Sequence, residues 1–274
     1  MMWSKANYGH FIYLSLLEQL DIQFNHLLKQ LKHKGYLHNA EVFVISDHGD
    51  SFRLEDDKLA PMIESQKQVL NVDAFGHGTN VLNQSQSEIL LAYQKYVDGS
   101  RFHQSTLYQG LYSIIDIVPS INRTLDEPPP KNIDGQALPL SRAQLNKDRF
   151  IFVDSSVPIK SIDTSLINLK YVFSETMDTY IADTNGQPVL TNDAYEQFIF
   201  KQHRAVYYKN WQFAFLPDQK DLIIVDLIQH KWAYLNEYQG SAPWRRMLKK
   251  LCTHYKSEIR FSDEDKCIDS QSIN

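Results

Sequence analysis

The sequence predicts an α/β chain in which an amphipathic helix leads into a short buried strand, and a run of small strands ends in a closing helix. Three observations carry this expectation. Leu14, Leu17, Phe24, Leu27, Leu28 and Leu31 recur at steps of three and four residues, which places them on one face of a helix from about Phe11 to Lys34. Glu41-Val-Phe-Val-Ile45 is a β-branched apolar run that stops at the polar Ser46-Asp47-His48-Gly49. Phe150–Val153, Arg204–Tyr208, Trp211–Phe215 and Leu222–Val225 have strand composition, and Lys209-Asn210 and Pro217-Asp218 separate the last three as in a meander.

In chain order, Gly35 is the expected stop of the first helix, preceded by Lys32, His33 and Lys34, cations that suit its negative end. The strand over 41–45 reads as buried on both faces, and ligands of such sheets gather outside the carboxyl ends of the strands. Residues 50–75 are polar without a clear period and read as a loop or short helix over that strand's end. Glu88–Tyr93 reads as a second strand. Tyr108–Ile121 has helical spacing interrupted by Pro119, and Asp126-Glu-Pro-Pro-Pro-Lys131 marks a surface crossing. Ser241 is the expected N-cap of the closing helix, with Pro243 in its first turn and its end near Tyr255. Asp263–Asn274 is polar and reads as a disordered tail. The expected division is 1–145 for the first α/β part, 146–260 for a smaller α+β part and 261–274 for the tail.

Bulk properties narrow the function classes. The chain has 274 residues, 43% of them hydrophobic and 22% charged, with a formal net charge of -5. That is ordinary globular composition, and the acidic balance gives no reason to expect a nucleic-acid partner. No apolar run approaches the ~20 residues of a membrane span. Met1-Met2-Trp3-Ser4-Lys5 opens no apolar signal-peptide core, so the chain as written is expected to stay in the cytoplasm unless an upstream segment carries export information. Cys252 and Cys267 allow a disulfide without deciding pairing or compartment.

Two short constellations could carry chemistry. Asp47-His48, at the end of a buried strand, sets a hard carboxylate beside an imidazole, a pair suited to zinc, manganese or a related divalent ion. The competing reading makes Asp47 a turn cap and His48 a surface histidine. In Phe75-Gly76-His77-Gly78 the flanking glycines allow close backbone approach and aim the ring; alone, His77 could equally be a passenger in a mobile loop. Together they point to a metal or oxyanion site.

Val42-Phe-Val-Ile-Ser-Asp-His-Gly49, with the helix and the Lys34-Gly35-Tyr36-Leu37 turn before it, resembles the approach of the sulfatase family to its Ser-Asp-His-Gly motif. Asp134-Gly-Gln-Ala-Leu-Pro-Leu140 is similar to the stretch that closes the sulfatase main domain. Arg204-Ala-Val-Tyr-Tyr-Lys-Asn-Trp-Gln-Phe213, with Val225-Asp226-Leu227, is similar to the small C-terminal sheet of that family. The matches come in family order over roughly residues 10–250. The resemblance implies the C-terminal part of an alkaline-phosphatase-like α/β/α sandwich, followed by a small antiparallel sheet with a C-terminal helix. It implies a metal-dependent hydrolase or transferase of sulfate or phosphate esters, in which Asp47 and His48 ligate a divalent ion (Zn, Mn, Ca or Mg). His77 then serves as a further metal ligand or binds the substrate's oxygens.

The family's nucleophile and first metal-binding aspartates lie on an opening strand far upstream of this motif, and the forty-six residues before Asp47 hold no such strand. No residue of this chain is therefore expected to be the nucleophile. The expectation is a part that is inactive alone, with the other half supplied by a separate chain; the alternative is a non-catalytic pseudoenzyme or interaction module. A third arrangement, a stand-alone site with water as nucleophile, lacks a further carboxylate. Ser241-Ala-Pro-Trp-Arg245 and Ser156-Val-Pro-Ile-Lys160 imitate the nucleophile motif but lie on the wrong side of the metal motif.

Overall fold

The computed structural model describes residues 5–54, 57–63, 76–102, 104–139, 146–156, 169–170, 174, 179–217, 219, 221–258 and 261. Helix α1 spans Lys5–His33. It ends as its sequence dictates: Gly35 takes φ 79°, Tyr36 N–H donates to the Leu31 carbonyl at 2.9 Å and Gly35 N–H to that of Lys32 at 3.0 Å. That paired closure needs a left-handed residue that glycine adopts without strain. There follow β1 (Asn39–Ile45), the two-residue β2 (Ala60–Pro61), the single-turn α2 (Gln84–Ser87), β3 (Leu91–Val97) and β4 (Ser100–Arg101).

Strand β1 corrects one expectation. It pairs antiparallel with β3, from Asn39 opposite Val97 to Ile45 opposite Leu91, in a sheet of order β1-β3-β4. No described strand pairs with its other edge. It is half-buried along its middle and exposed at both ends, so it is not covered on both faces. The second strand begins at Leu91 rather than Glu88, because 84–87 close a helical turn that Glu88 caps.

The Tyr108–Ile121 expectation also shortens. A 3-10 turn over Ile114–Asp116 opens α3 (Ile117–Thr124), with Ser113 and Asp116 forming a reciprocal capping box. Pro119 does not interrupt α3; it sits in the first turn, where its missing N–H forfeits no helical bond.

The C-terminal part holds β5 (Phe150–Asp154), β6 (Tyr180–Ala182), β7 (Pro188–Leu190), α4 (Asn192–Lys201), β8 (Arg204–Tyr208), β9 (Trp211–Phe215), β10 (Ile223–Asp226), β11 (Lys231–Tyr234) and α5 (Trp244–His254). β6 and β7 make a separate hairpin, and the main sheet has the order β2-β11-β10-β9-β8-β5. Its pairs are antiparallel except β2 with β11. The small antiparallel sheet and its closing helix are as the sequence implies. Helix α5 starts at Trp244, three residues after the expected cap at Ser241, because Pro243 adopts a non-helical ψ of 48° and the Ala242 N–H is bonded to the Tyr238 hydroxyl at 2.9 Å.

Both faces of this sheet are covered. Val206, Phe213 and Ile224 pack with Met247, Leu248 and Leu251 of α5. On the opposite face Ala205, Ile223, Val225 and Trp232 pack with Val81 and Leu82, which lie just before α2. Each fully buried Leu, Ile or Val contributes roughly 1.5–3 kcal/mol. The segment leading to α2 is thus held by the core of the C-terminal sheet. Cys252, in α5, is disulfide-bonded; Cys267 and the polar tail from 262 lie outside the described residues. Among the described residues no helix is long and apolar enough to cross a membrane.

Tyr207 joins these layers, its hydroxyl 3.0 Å from Ser87 Oγ of α2. Burial pushes its pKa up to about 12, and Tyr93 is likewise pushed up to about 12 by burial and by Glu41. A pKa raised on folding stabilises fully below the unfolded value near 10 and is lost as pH rises through the folded value. Urea midpoints are therefore expected to hold up to about pH 10 and to fall steeply between about 10 and 12. Tyr207→Phe, which removes one of the raised tyrosines, should make that fall shallower.

Candidate metal centre

The chain leaves β1 at Ile45 and turns through Ser46–Ser51. A second loop, Gly76–Asn80, approaches it from 25 residues further along. Ser51 N–H donates to the Gly76 carbonyl at 2.8 Å and Gly76 N–H to the Ser51 carbonyl at 3.0 Å, an isolated antiparallel bridge that locks the loops side by side. Gly76 and Gly78 both take positive φ, 80° and 68°, on either side of His77. The histidine is thereby turned onto the first loop: the His48 and His77 rings stack with centroids 3.6 Å apart and planes 20° from parallel. His77 Nδ1 lies 2.8 Å from Asp50 Oδ1.

One donor atom from each of His48, Asp50 and His77 lies within 4.8 Å of the others. Of the three residues expected from sequence, the structure brings His48 and His77 together. Asp47 lies beside them. Its side chain is 86% exposed and it is not one of that triad, although its Oδ1 stands 3.6 Å from His48 Nε2. The carboxylate in the triad is Asp50, which the sequence reading passed over even though it follows Asp-His-Gly directly.

The donor set fits a divalent cation. Two ligands about 2.1 Å from one tetrahedral ion stand roughly 3.4 Å apart. The 3.6 Å separation of Asp47 and His48 is near that value, and the triad's donor atoms lie within 4.8 Å of one another. His48 Nδ1 lies 3.1 Å from the Gly49 carbonyl oxygen, an acceptor, so Nδ1 carries the proton and Nε2 keeps the ligating lone pair. His77 Nδ1 faces the Asp50 carboxylate at 2.8 Å: either it donates to that carboxylate and leaves Nε2 to ligate, or Nδ1 itself ligates beside Asp50. Two imidazoles and one or two carboxylates make a donor set suited to zinc or manganese.

Comparison with family models, curated proteins and solved structures gives no match. What this site can do therefore follows from its own residues and from what holds them.

The support is a buried polar cluster around α2. Asn83, 1% exposed, donates from Nδ2 to Ser51 Oγ at 2.9 Å. Asp57 accepts from the N–H groups of Phe52 and Leu54 at 3.2 and 2.9 Å, and from the Ser85 hydroxyl. Gln86 Oε1 accepts from the N–H groups of Thr79 and Asn80 at 3.0 and 3.2 Å, while the Gln86 carbonyl accepts from Gly49 N–H at 3.1 Å. One helical turn thus fixes both loops, and Val81 and Leu82 tie that turn into the sheet core. The Asn83-Gln-Ser85 sequence has glycosylation spacing, but the burial of Asn83 closes it to a glycan. Val157–Lys160, most of one nucleophile-like motif, lie outside the described residues. The Asp134–Pro139 segment packs on α3, where Gly135 leaves no room for a Cβ against the Ile115 carbonyl and Gln136 N–H donates to Asp116 at 3.0 Å.

Proposed function

We propose that this chain carries the metal-binding part of a sulfatase-like, metal-dependent hydrolase or transferase of sulfate or phosphate esters. On this reading α1, β1 and β3 belong to an alkaline-phosphatase-like α/β/α sandwich. The observation that carries the proposal is the convergence of His48, Asp50 and His77 just past the carboxyl end of β1, with Asp47 beside His48. His48 and Asp50 hold a divalent ion, joined by Asp47. His77 serves as a further ligand or binds the ester's oxygens. When bound, the ion supplies Lewis-acid stabilisation of charge on those oxygens. The nucleophile comes from a separate polypeptide segment seated against the free edge of β1, where a paired strand would end close to the triad.

The test is calorimetric titration of the purified chain with Zn²⁺ and with Mn²⁺. Binding of either ion is expected, and Asp50→Asn, which keeps size and removes charge, should weaken it about 10-fold or more. A chain that binds neither ion while remaining folded sinks the metal reading and leaves a pseudoenzyme or interaction module. Metal-dependent turnover of an aryl phosphate or sulfate by this chain alone would instead make water the nucleophile.

A further inference from the structure

The first helix has an apolar surface that stands largely exposed. Ten large apolar side chains between Tyr8 and Leu27 are at least 38% exposed. Near its start the helix meets the body at Phe52, whose ring centroid lies 5.5 Å from that of His10 and 5.1 Å from that of Tyr13. Further along, a cavity of about 680 Å³ lies between Phe24 and Leu28 of α1 and Val42 and Val44 of β1. An exposed apolar helix surface of this extent marks a site that a second body covers.

The exposed stripe has a definite period. Tyr13, Leu16, Leu20, Gln23, Leu27 and Gln30 follow one another at steps of three, four, three, four and three residues, the spacing of the seam of a two-helix coiled coil. Leu16, Leu20 and Leu27, at the centre of this stripe, are 57%, 58% and 48% exposed. Positions flanking it hold Ile12, Leu17, Gln19, Phe24, His26 and Leu31, with no Asp, Glu, Lys or Arg among them. The charges of the stretch (Glu18, Asp21, Lys29 and Lys32) all fall on the remaining positions. A stripe and flanks free of charge set no like-charge repulsion against an identical stripe.

We propose that α1 is a homodimer interface, pairing in parallel with α1 of a second copy of this chain. In the parallel arrangement each seam residue meets its own counterpart. Gln23 then faces Gln23 and Gln30 faces Gln30, so each amide finds a hydrogen-bonding partner, while Leu16, Leu20 and Leu27 form leucine layers. An antiparallel arrangement would set Gln23 against Leu20 and Gln30 against Tyr13. The area is sufficient. Ile12, Tyr13, Leu16, Leu17, Leu20 and Leu27, at about 200 Å² for a large apolar side chain, offer on the order of 600 Å² per copy. Two copies bury roughly 1,200 Å², the lower end of stable specific interfaces.

The experiment is sedimentation equilibrium on the full chain, without added metal so that the outcome is independent of the metal reading. The expected result is a concentration-dependent dimer. Leu20→Glu, which sets two carboxylates face to face in the seam, should weaken it by about 100-fold or more while the circular dichroism of the folded chain is unchanged. Single cysteines at opposite ends of the stripe, Leu16→Cys and Gln30→Cys, should each form an intermolecular disulfide on oxidation, since parallel copies keep like residues adjacent along the whole seam. A monomer at all accessible concentrations overturns the proposal. So does a dimer that Leu20→Glu leaves intact, or one in which neither cysteine cross-links.

Discussion

Replacing Arg149 by alanine is expected to destabilise the chain by about 3–5 kcal/mol, the cost of leaving a buried charge without its partner. Arg149 is 6% exposed and Asp116 not at all. Two guanidinium nitrogens meet the two carboxylate oxygens of Asp116, one at 2.6 Å, and Nη1 also reaches the Leu111 carbonyl at 3.3 Å. The same carboxylate accepts from the N–H groups of Ser113 and Gln136 at 2.9 and 3.0 Å. Without the arginine, those two amides would face a buried anion that has no cation and no route to water. Arg149→Met keeps most of the side-chain volume, so it separates the charge from the packing. It should cost nearly as much as alanine if the charge dominates. Urea unfolding monitored by circular dichroism gives both values. A loss below about 1 kcal/mol for both variants would mean that water reaches Asp116 and that the pair is an ordinary surface bridge.

Arg149 immediately precedes β5 and Asp116 opens α3, so this pair joins the first part of the chain to the C-terminal sheet. Nothing in the local sequence around either residue marks them as partners thirty-three positions apart. The legible parts of the fold are those set by neighbours in the chain. The end of α1 at Gly35 could be read directly, because glycine is the residue that takes the left-handed position closing a helix. Strands β8 and β9 stand where their apolar runs and the Lys209-Asn210 turn place them, and β10 is displaced by one residue. Strand β11 went unread because Lys231-Trp-Ala-Tyr234 is only four residues long and carries no flanking glycine or proline. Helix α4 was missed although Thr191 caps it, accepting from the Ala194 N–H at 3.2 Å; its aromatic residues hide the helical period. At the candidate site His48 was legible from its place at the end of an apolar strand run, and His77 from its flanking glycines. The choice between Asp47 and Asp50 was not, since it depends on the Ser51–Gly76 bridge. Asn83, Gln86 and Asp57 carry no signal in the sequence, because their roles come from partners that the fold delivers.

The same dependence makes Gly49 the most sensitive single position of the site. A Cβ there would overlap the carbonyl oxygens of Ser85 and Glu88, which are backbone atoms of α2 and its cap and cannot swing aside as a side chain would. Gly49→Ala must therefore push the Asp47–Ser51 loop off α2, breaking the Gly49–Gln86 hydrogen bond and displacing His48 and Asp50 from His77. Metal affinity is expected to fall about 10–100-fold, the range seen when the support of a ligand rather than the ligand is lost. The overpacking itself should cost about 1–3 kcal/mol of stability. Gly76→Ala separates conformational strain from collision, because Gly76 has positive φ but nothing within 4 Å of a built Cβ. It should lose only about 1 kcal/mol and a smaller share of the affinity. Titration calorimetry with Zn²⁺ on the two variants ranks them. Equal affinities would show that the loops adjust independently of α2, and the clamp would then have no part in forming the site. A steep loss at Gly49 with a shallow one at Gly76 would place the rigidity of the centre in the contact between the β1 loop and α2, in residues that coordinate nothing themselves.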